Sequence, residues 1–248
     1  MSAPDPTGVE RGEQDADGGL SATLDALSVP ALVPAQRRGL VRQLARQLPR
    51  RRRWHPRTAM RWVVDTVGEV APHVPVRDLA TLQDHYRGLA GPALAERLVR
   101  NAALATAGVG AACGGLAAVK WTVPPTLLAA PVLVGAETVA VVAIELKLIG
   151  ELHAAHGAPL PTTGAQKAAA LLGSWAHQRG VNPLLPAGGI SVALGATARK
   201  ELADRLVRRF GRNLPTLAPL LAGAAVGSYL NQRATRTLGR TIATDLAR

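Results

Sequence analysis

The stretch PLLAGAAVGSYLNQRATRTLGR, Pro219 to Arg240, decides how the rest of the chain is read. An apolar run of small residues, with Gly223 and Gly227 at G-x-x-x-G spacing, passes without a break into Tyr229, Asn231, Arg233, Arg236 and Arg240. A helix through it presents a face where missing side chains let another backbone approach, and that face leads into hydrogen-bonding and cationic groups. As a membrane span it would end in an aromatic and basic cytoplasmic flank. As a buried helix it would continue to Ala247 as one long rod. Either way it needs a partner helix, and the small-residue segment from Ala105 to Leu116, with Gly110 and Gly114 at the same spacing, is the natural one.

Working outward, three more stretches are nearly free of charge. Asn101 to Val119 is long enough to span a bilayer, but alanine and glycine contribute little to insertion, so Leu104, Val109, Leu116 and Val119 must drive it. Thr126 to Gly150 is the most hydrophobic segment, interrupted only by Glu137 before Glu145, and would form a hairpin with the first around Trp121. A carboxylate at Glu137 in a spanning helix must be protonated, or must pair inside the bundle with a group such as Lys120, Lys147 or Lys167; on a helix facing water it carries no meaning. Val181 to Ala198 holds two prolines and three glycines and suits a re-entrant or buried segment. If it spanned together with the last stretch, the basic linker Arg199 to Arg212 would lie outside the cell, against the bias of Lys and Arg toward the cytoplasm. At least one of the four is therefore expected not to cross.

Charge organises the first third. The chain of 248 residues has a formal net charge of +12, which attracts anionic partners. Residues 1–25 instead carry six acids against Arg11 alone, and read as part of a disordered acidic tail over residues 1–30. From Arg37 to Arg61 there are ten arginines and no acid. There Leu40, Val41, Leu44 and Leu48 share one helical face, followed by Arg50, Arg51, Arg52, Arg53 and Trp54. A basic amphipathic helix of this kind suits the surface of an anionic bilayer. Nucleic acid fits less well, because stacking aromatics are limited to Trp54 and Trp62 and no reading motif is present.

Composition gives the fold class. Apolar residues make up 48% of the chain but aromatics only 3%, the apolar share being mostly alanine, valine and leucine. These residues favour helices that pack closely. The expectation is an all-α, membrane-associated bundle of small-residue-rich helices: a basic helical region over 31–90 and a hydrophobic helical domain over 91–248. The acidic opening is no secretory signal, so the N-terminus is expected in the cytoplasm and the protein at the cell membrane.

Catalytic motifs are wanting. No phosphate-binding G-x-x-x-x-G-K-[ST] occurs, and Ser174 and Ser191 lack a nucleophile-elbow context. Cys113, the single cysteine, reads as a small apolar residue. Glu151, His153 and His156 share the end of a helix, where histidine suits the C-terminal dipole and Gly157 the left-handed cap better than they suit a metal. No catalytic residue, cofactor or metal site is expected.

From about Leu98 onward the chain resembles the EcsC-like proteins and, less closely, the helical domain attached to some bacterial GTPases. The resemblance lies in ATAGVGAACGGLAA with the proline turn after it, in ELKLIGELHAAHGAPLP, and in the opening stretch. It implies an all-helical, membrane-associated protein with no catalytic residues to carry over. The role expected is non-enzymatic, as an accessory factor of a transporter or envelope complex. The partners expected are anionic membrane lipid, a membrane-protein complex and a second copy of the chain. The alternative is a soluble helical adaptor that binds nucleic acid or an acidic partner through Arg37 to Arg61.

Overall fold

The computed structural model describes residues 18–48, 65–120, 130–161, 164–178 and 220–248; at 114–120, 130–134 and 220–226 it describes the helical backbone only. Every regular element among these residues is helical, so the protein is all-α. In chain order the helices are α1 (18–27), α2 (Pro34–Gln47), α3 (65–70, tightening into the 3₁₀ turn Ala71–His73), α4 (Leu79–His85), α5 (Gly91–Lys120), α6 (Ala130–Ala155), α7 (Gly164–Gln178) and α8 (Leu220–Leu246).

The second apolar stretch becomes the axis of the bundle. Helix α6 is packed by α2, α4, α5, α7 and α8 and buries Val139, Ala140, Ile144, Leu146, Leu148, Ile149 and Leu152 around its circumference. A helix that is apolar all round needs apolar surroundings, and here neighbouring helices supply them in place of lipid. Among the described residues no helix is long and apolar enough to cross a membrane. This corrects the reading of α5, α6 and α8 as spans. The C-terminal half of α6 carries Glu145, Lys147 and Glu151, α8 carries Arg233, Arg236 and Arg240, and α5 is diluted by alanine and glycine. The third stretch and the linker after it lie outside the described residues.

The amphipathic face of α2 is also used within the protein. Val41, Leu44 and Leu48 are buried, and Leu40 packs partly buried against the same core. That face is therefore not open to a bilayer, while Arg42 and Arg46 stay exposed on the other. The disordered tail expected over residues 1–30 does not hold for its described part, since residues 18–27 form α1. Leu20, Leu24 and Leu27 recur at helical spacing, and Leu24 and Leu27 are buried in the core that α5 and α6 share. The regions 31–90 and 91–248 likewise build one core between them.

Arg37 ties α1 to this core. It is 1% exposed and faces carbonyls: its Nη1 donates to Leu27 O (2.8 Å) and Ala105 O (3.2 Å), its Nη2 to Val29 O (2.7 Å) and Pro30 O (3.4 Å). These donors satisfy carbonyls at the end of α1 and in its loop, which the helix ladder leaves open. Burial pushes the guanidinium pKa down. Helix α6 ends in the cap its sequence suggests: Gly157 takes φ +71°, Ala158 N donates to His153 O (3.0 Å) and Gly157 N to Ala154 O (3.2 Å).

Candidate functional site

Helices α5 and α8 run antiparallel in one register. The contacts Gly110 with Gly227, Thr106 with Asn231, Val99 with Gly239 and Glu96 with Arg240 advance along α5 as they retreat along α8. At the crossing, a Cβ on Gly110 would lie 2.9 Å from Asn231 Nδ2 and 3.0 Å from both Gly227 C and Ser228 N. Glycine is thus required at Gly110 by the approach of another backbone. Gly227 is the donor of that backbone, and a Cβ placed on it would meet nothing within 4 Å. Gly114 and Gly223 lie in the helical parts described by backbone only.

Glu137 of α6 joins this crossing. Its carboxyl is hydrogen-bonded to Cys113 of α5 and Asn231 of α8, and Asn231 also reaches Thr106, its Nδ2 donating to Thr106 O while Thr106 Oγ1 donates to Asn231 O, each at 3.5 Å. Loss of solvation pushes the carboxyl pKa up to about 7, against the two hydrogen bonds that favour its charged form. Burial, and then the neighbouring Glu137, push the Cys113 thiol upward as well. The lysines expected as partners are engaged elsewhere. Lys147 Nζ meets Asp25 Oδ1 (2.7 Å) and Pro75 O (3.0 Å), and Lys167 Nζ donates to Val74 O (2.5 Å). The side chain of Lys120 lies outside the described surroundings. An acid in an apolar helix signalled a need for partners; the uncharged Cys113 and Asn231 meet it.

Two further polar groups in α6 are structural. Glu145 is 1% exposed and accepts from Trp175 Nε1 (2.8 Å) and Thr235 Oγ1 (2.9 Å), which joins α6 to α7 and α8. Glu151 accepts two bonds from Arg77, at 2.7 and 3.0 Å, with Arg77 stacked over Tyr86. Burial works against the charged Arg77, but the Glu151 bonds and charge, with Tyr86, outweigh it and raise its pKa.

On one side of the Gly110 crossing the α5–α8 pair carries exposed cations. Arg97, Arg100, Arg233 and Arg240 are exposed, with Arg240 bonded to Glu96 at 3.2 Å. Next to this band, toward the Gly110 crossing, stand the exposed apolar residues Leu104, Tyr229 and Leu230, with Arg233 Nη1 3.5 Å from the Tyr229 hydroxyl. Beyond the crossing, α5 and α8 carry no acid in their sequences, and α6 has Glu137 alone before Glu145. Arg50, Arg51, Arg52, Arg53 and Trp54 lie outside the described residues. His156 Nδ1 is 2.8 Å from Leu152 O, and among the described residues no three His, Cys, Asp or Glu side chains gather as metal ligands. No family model, curated protein or solved structure matches this chain.

Proposed function

We propose that this protein is a non-enzymatic, membrane-associated helical bundle that docks on anionic lipid by one end. The observation that carries this reading is the distribution of charge along α5 and α8. A band formed by Arg97, Arg100, Arg233 and Arg240 borders exposed Leu104, Tyr229 and Leu230, beyond which the helices continue without charge on α5 as far as Lys120 and on α8 to its start at Leu220. Cations and an aromatic hydroxyl at headgroup level, with apolar residues beyond them, match the polarity profile of a bilayer interface. Each exposed cation near such a surface contributes roughly 1 kcal/mol. The resemblance to EcsC-like proteins adds the role of accessory factor to a transporter or envelope complex.

Flotation of the full chain with vesicles tests the docking. Vesicles of equal parts phosphatidylglycerol and phosphatidylcholine should carry the protein upward, and added salt should release it, since exposed charges are screened over about 8 Å at physiological ionic strength. The triple variant Arg97→Gln, Arg100→Gln, Arg233→Gln should float less. Equal flotation with pure phosphatidylcholine would remove the charge argument. Tighter binding to DNA than to lipid at equal salt would favour the adaptor.

A further inference from the structure

We propose that the outer face of α2 is a docking surface for a partner α-helix that carries a stripe of carboxylates. It is a second surface, built from other residues than the α5–α8 band, and goes beyond the lipid docking proposed above.

The packing of α2 fixes which way its charges point. Arg37, Val41, Leu44 and Leu48 are buried in the core. The flank bearing Gln43 and Gln47 lies along α1: Gln43 Nε2 donates to Thr23 Oγ1 (3.0 Å), and a Cβ on Gly19 would lie 3.5 Å from Gln47 Nε2. What remains outward is Ala35, Gly39, Arg42 and Arg46, which share one face at helical spacing, with Arg38 half-buried at its edge. From Arg38 to Arg42 to Arg46 the helix rises by about 6 Å per step. Arg46 Nε reaches Arg42 O at 3.4 Å, so Arg46 lies back along the stripe. Helix α2 contains no acid, and no acid among the described residues pairs with these three arginines. The one acid of α1, Asp25, is taken by Lys147.

An unpaired arginine ladder of this pitch is complementary to carboxylates at i, i+4 and i+8 of another helix, whose steps have the same rise. Guanidinium and carboxylate can then meet through paired hydrogen bonds. The other end of the face is low and apolar. A Cβ on Gly39 would meet nothing within 4 Å, Ala35 is exposed, and Val29 and Val33, just before the helix, are 44% and 57% exposed. A partner helix can rest an apolar side chain there while its acids meet the arginines. A bilayer matches this face less well, because Val41, Leu44 and Leu48 are turned into the core and only Ala35 and Gly39 accompany the arginines. Nucleic acid also matches it less well, since no aromatic residue of α2 offers bases a stacking surface.

Fluorescence anisotropy with the full chain provides the test. One labelled helical peptide carries glutamates at i, i+4 and i+8 with a leucine one turn before the first; a second has the same composition with its glutamates scattered around the helix. The spaced peptide should bind roughly tenfold more tightly than the scattered one, and the triple variant Arg38→Gln, Arg42→Gln, Arg46→Gln should abolish that difference. Gly39→Leu projects into open space, so it should melt close to wild type yet bind the spaced peptide several-fold more weakly, by blocking the approach of a second helix. Equal binding of the two peptides to wild type, or wild-type binding by either variant, would overturn the proposal. Flotation with phosphatidylglycerol vesicles should not respond to the α2 triple variant; its loss would assign the face to lipid. Tighter binding of duplex DNA than of the spaced peptide at equal salt, lost in the same variant, would assign it to nucleic acid. Either result would overturn the helical partner.

Discussion

The guanidinium of Arg37 occupies the space that a side chain on Gly108 would need: a Cβ there would lie 2.5 Å from Arg37 Nε and 2.8 Å from Cζ. Two residues distant in the chain, one apparently a surface cation and the other apparently a helix weakness, are thus a single packing unit. Gly108→Ala should destabilise the protein by about 1–3 kcal/mol through overpacking. In an Arg37→Ala background, itself destabilised by open buried carbonyls, the same change should be near neutral or favourable. Urea denaturation of the four proteins in a double-mutant cycle measures this coupling; additive effects would show that Arg37 and Gly108 do not constrain each other.

Gly110 and Gly227 should behave unequally although they meet. Gly110→Ala puts a methyl against the α8 backbone and should cost about 1–3 kcal/mol. Gly227→Ala meets open space and should gain up to about 1 kcal/mol from helix propensity. Thermal melting of the two variants decides it, and equal losses would contradict the geometry.

Trp175→Phe keeps most of the ring but removes the indole donor to Glu145. Losing that bond in the core should cost roughly 1–3 kcal/mol. Thr235→Val removes the other donor and should act in the same direction. If chemical denaturation finds both variants as stable as wild type, Glu145 does not depend on these bonds.

Stability should fall as pH rises from about 4.5 to about 7. In that window folded Glu137, with its pKa raised to about 7, holds a proton that the unfolded chain, at the ordinary 4.5, has released. The penalty is absent below the unfolded value and complete above the folded one, on the order of 3 kcal/mol. Comparing urea midpoints of wild type and Glu137→Gln across pH isolates this contribution from other titrations. A difference that does not vary with pH would place the folded Glu137 pKa at its ordinary value.

Arg77→Ala should be costlier than loss of an ordinary surface charge, because Glu151 is 5% exposed by side chain and would lose its bidentate partner. Lys147 remains 3.5 Å from Glu151 Oε1 and offsets part of the effect, so a loss of about 2–3 kcal/mol is expected by calorimetry.

The all-α class was readable from composition, as was the α5–α8 meeting at Gly110 and Gly227, because a run of small residues has few uses other than close approach. Hydropathy misled for α6: lipid and neighbouring helices are equally apolar, and the pattern of Val139 to Leu152 does not tell them apart. The amphipathic face of α2 failed in the same way, since Val41 and Leu44 suit a protein core as well as a membrane surface. α1 was missed because acids before it masked the spacing of Leu20, Leu24 and Leu27. Glu137 was visible as an anomaly, whereas Asn231 and Cys113 were not visible as its partners, because that pairing depends on the register of three helices far apart in the chain.

That separation bears on synthesis. Helix α5 leaves the ribosome long before α8, the helix that packs along it, and contacts between distant segments form slowly because a long loop must close first. Until α8 emerges, the small-residue surface around Gly110 has no partner of its own chain, and Glu137 lacks Asn231. A nascent chain in this state exposes an adhesive helix face, so recognition by a chaperone or by the membrane during translation competes with completion of the bundle.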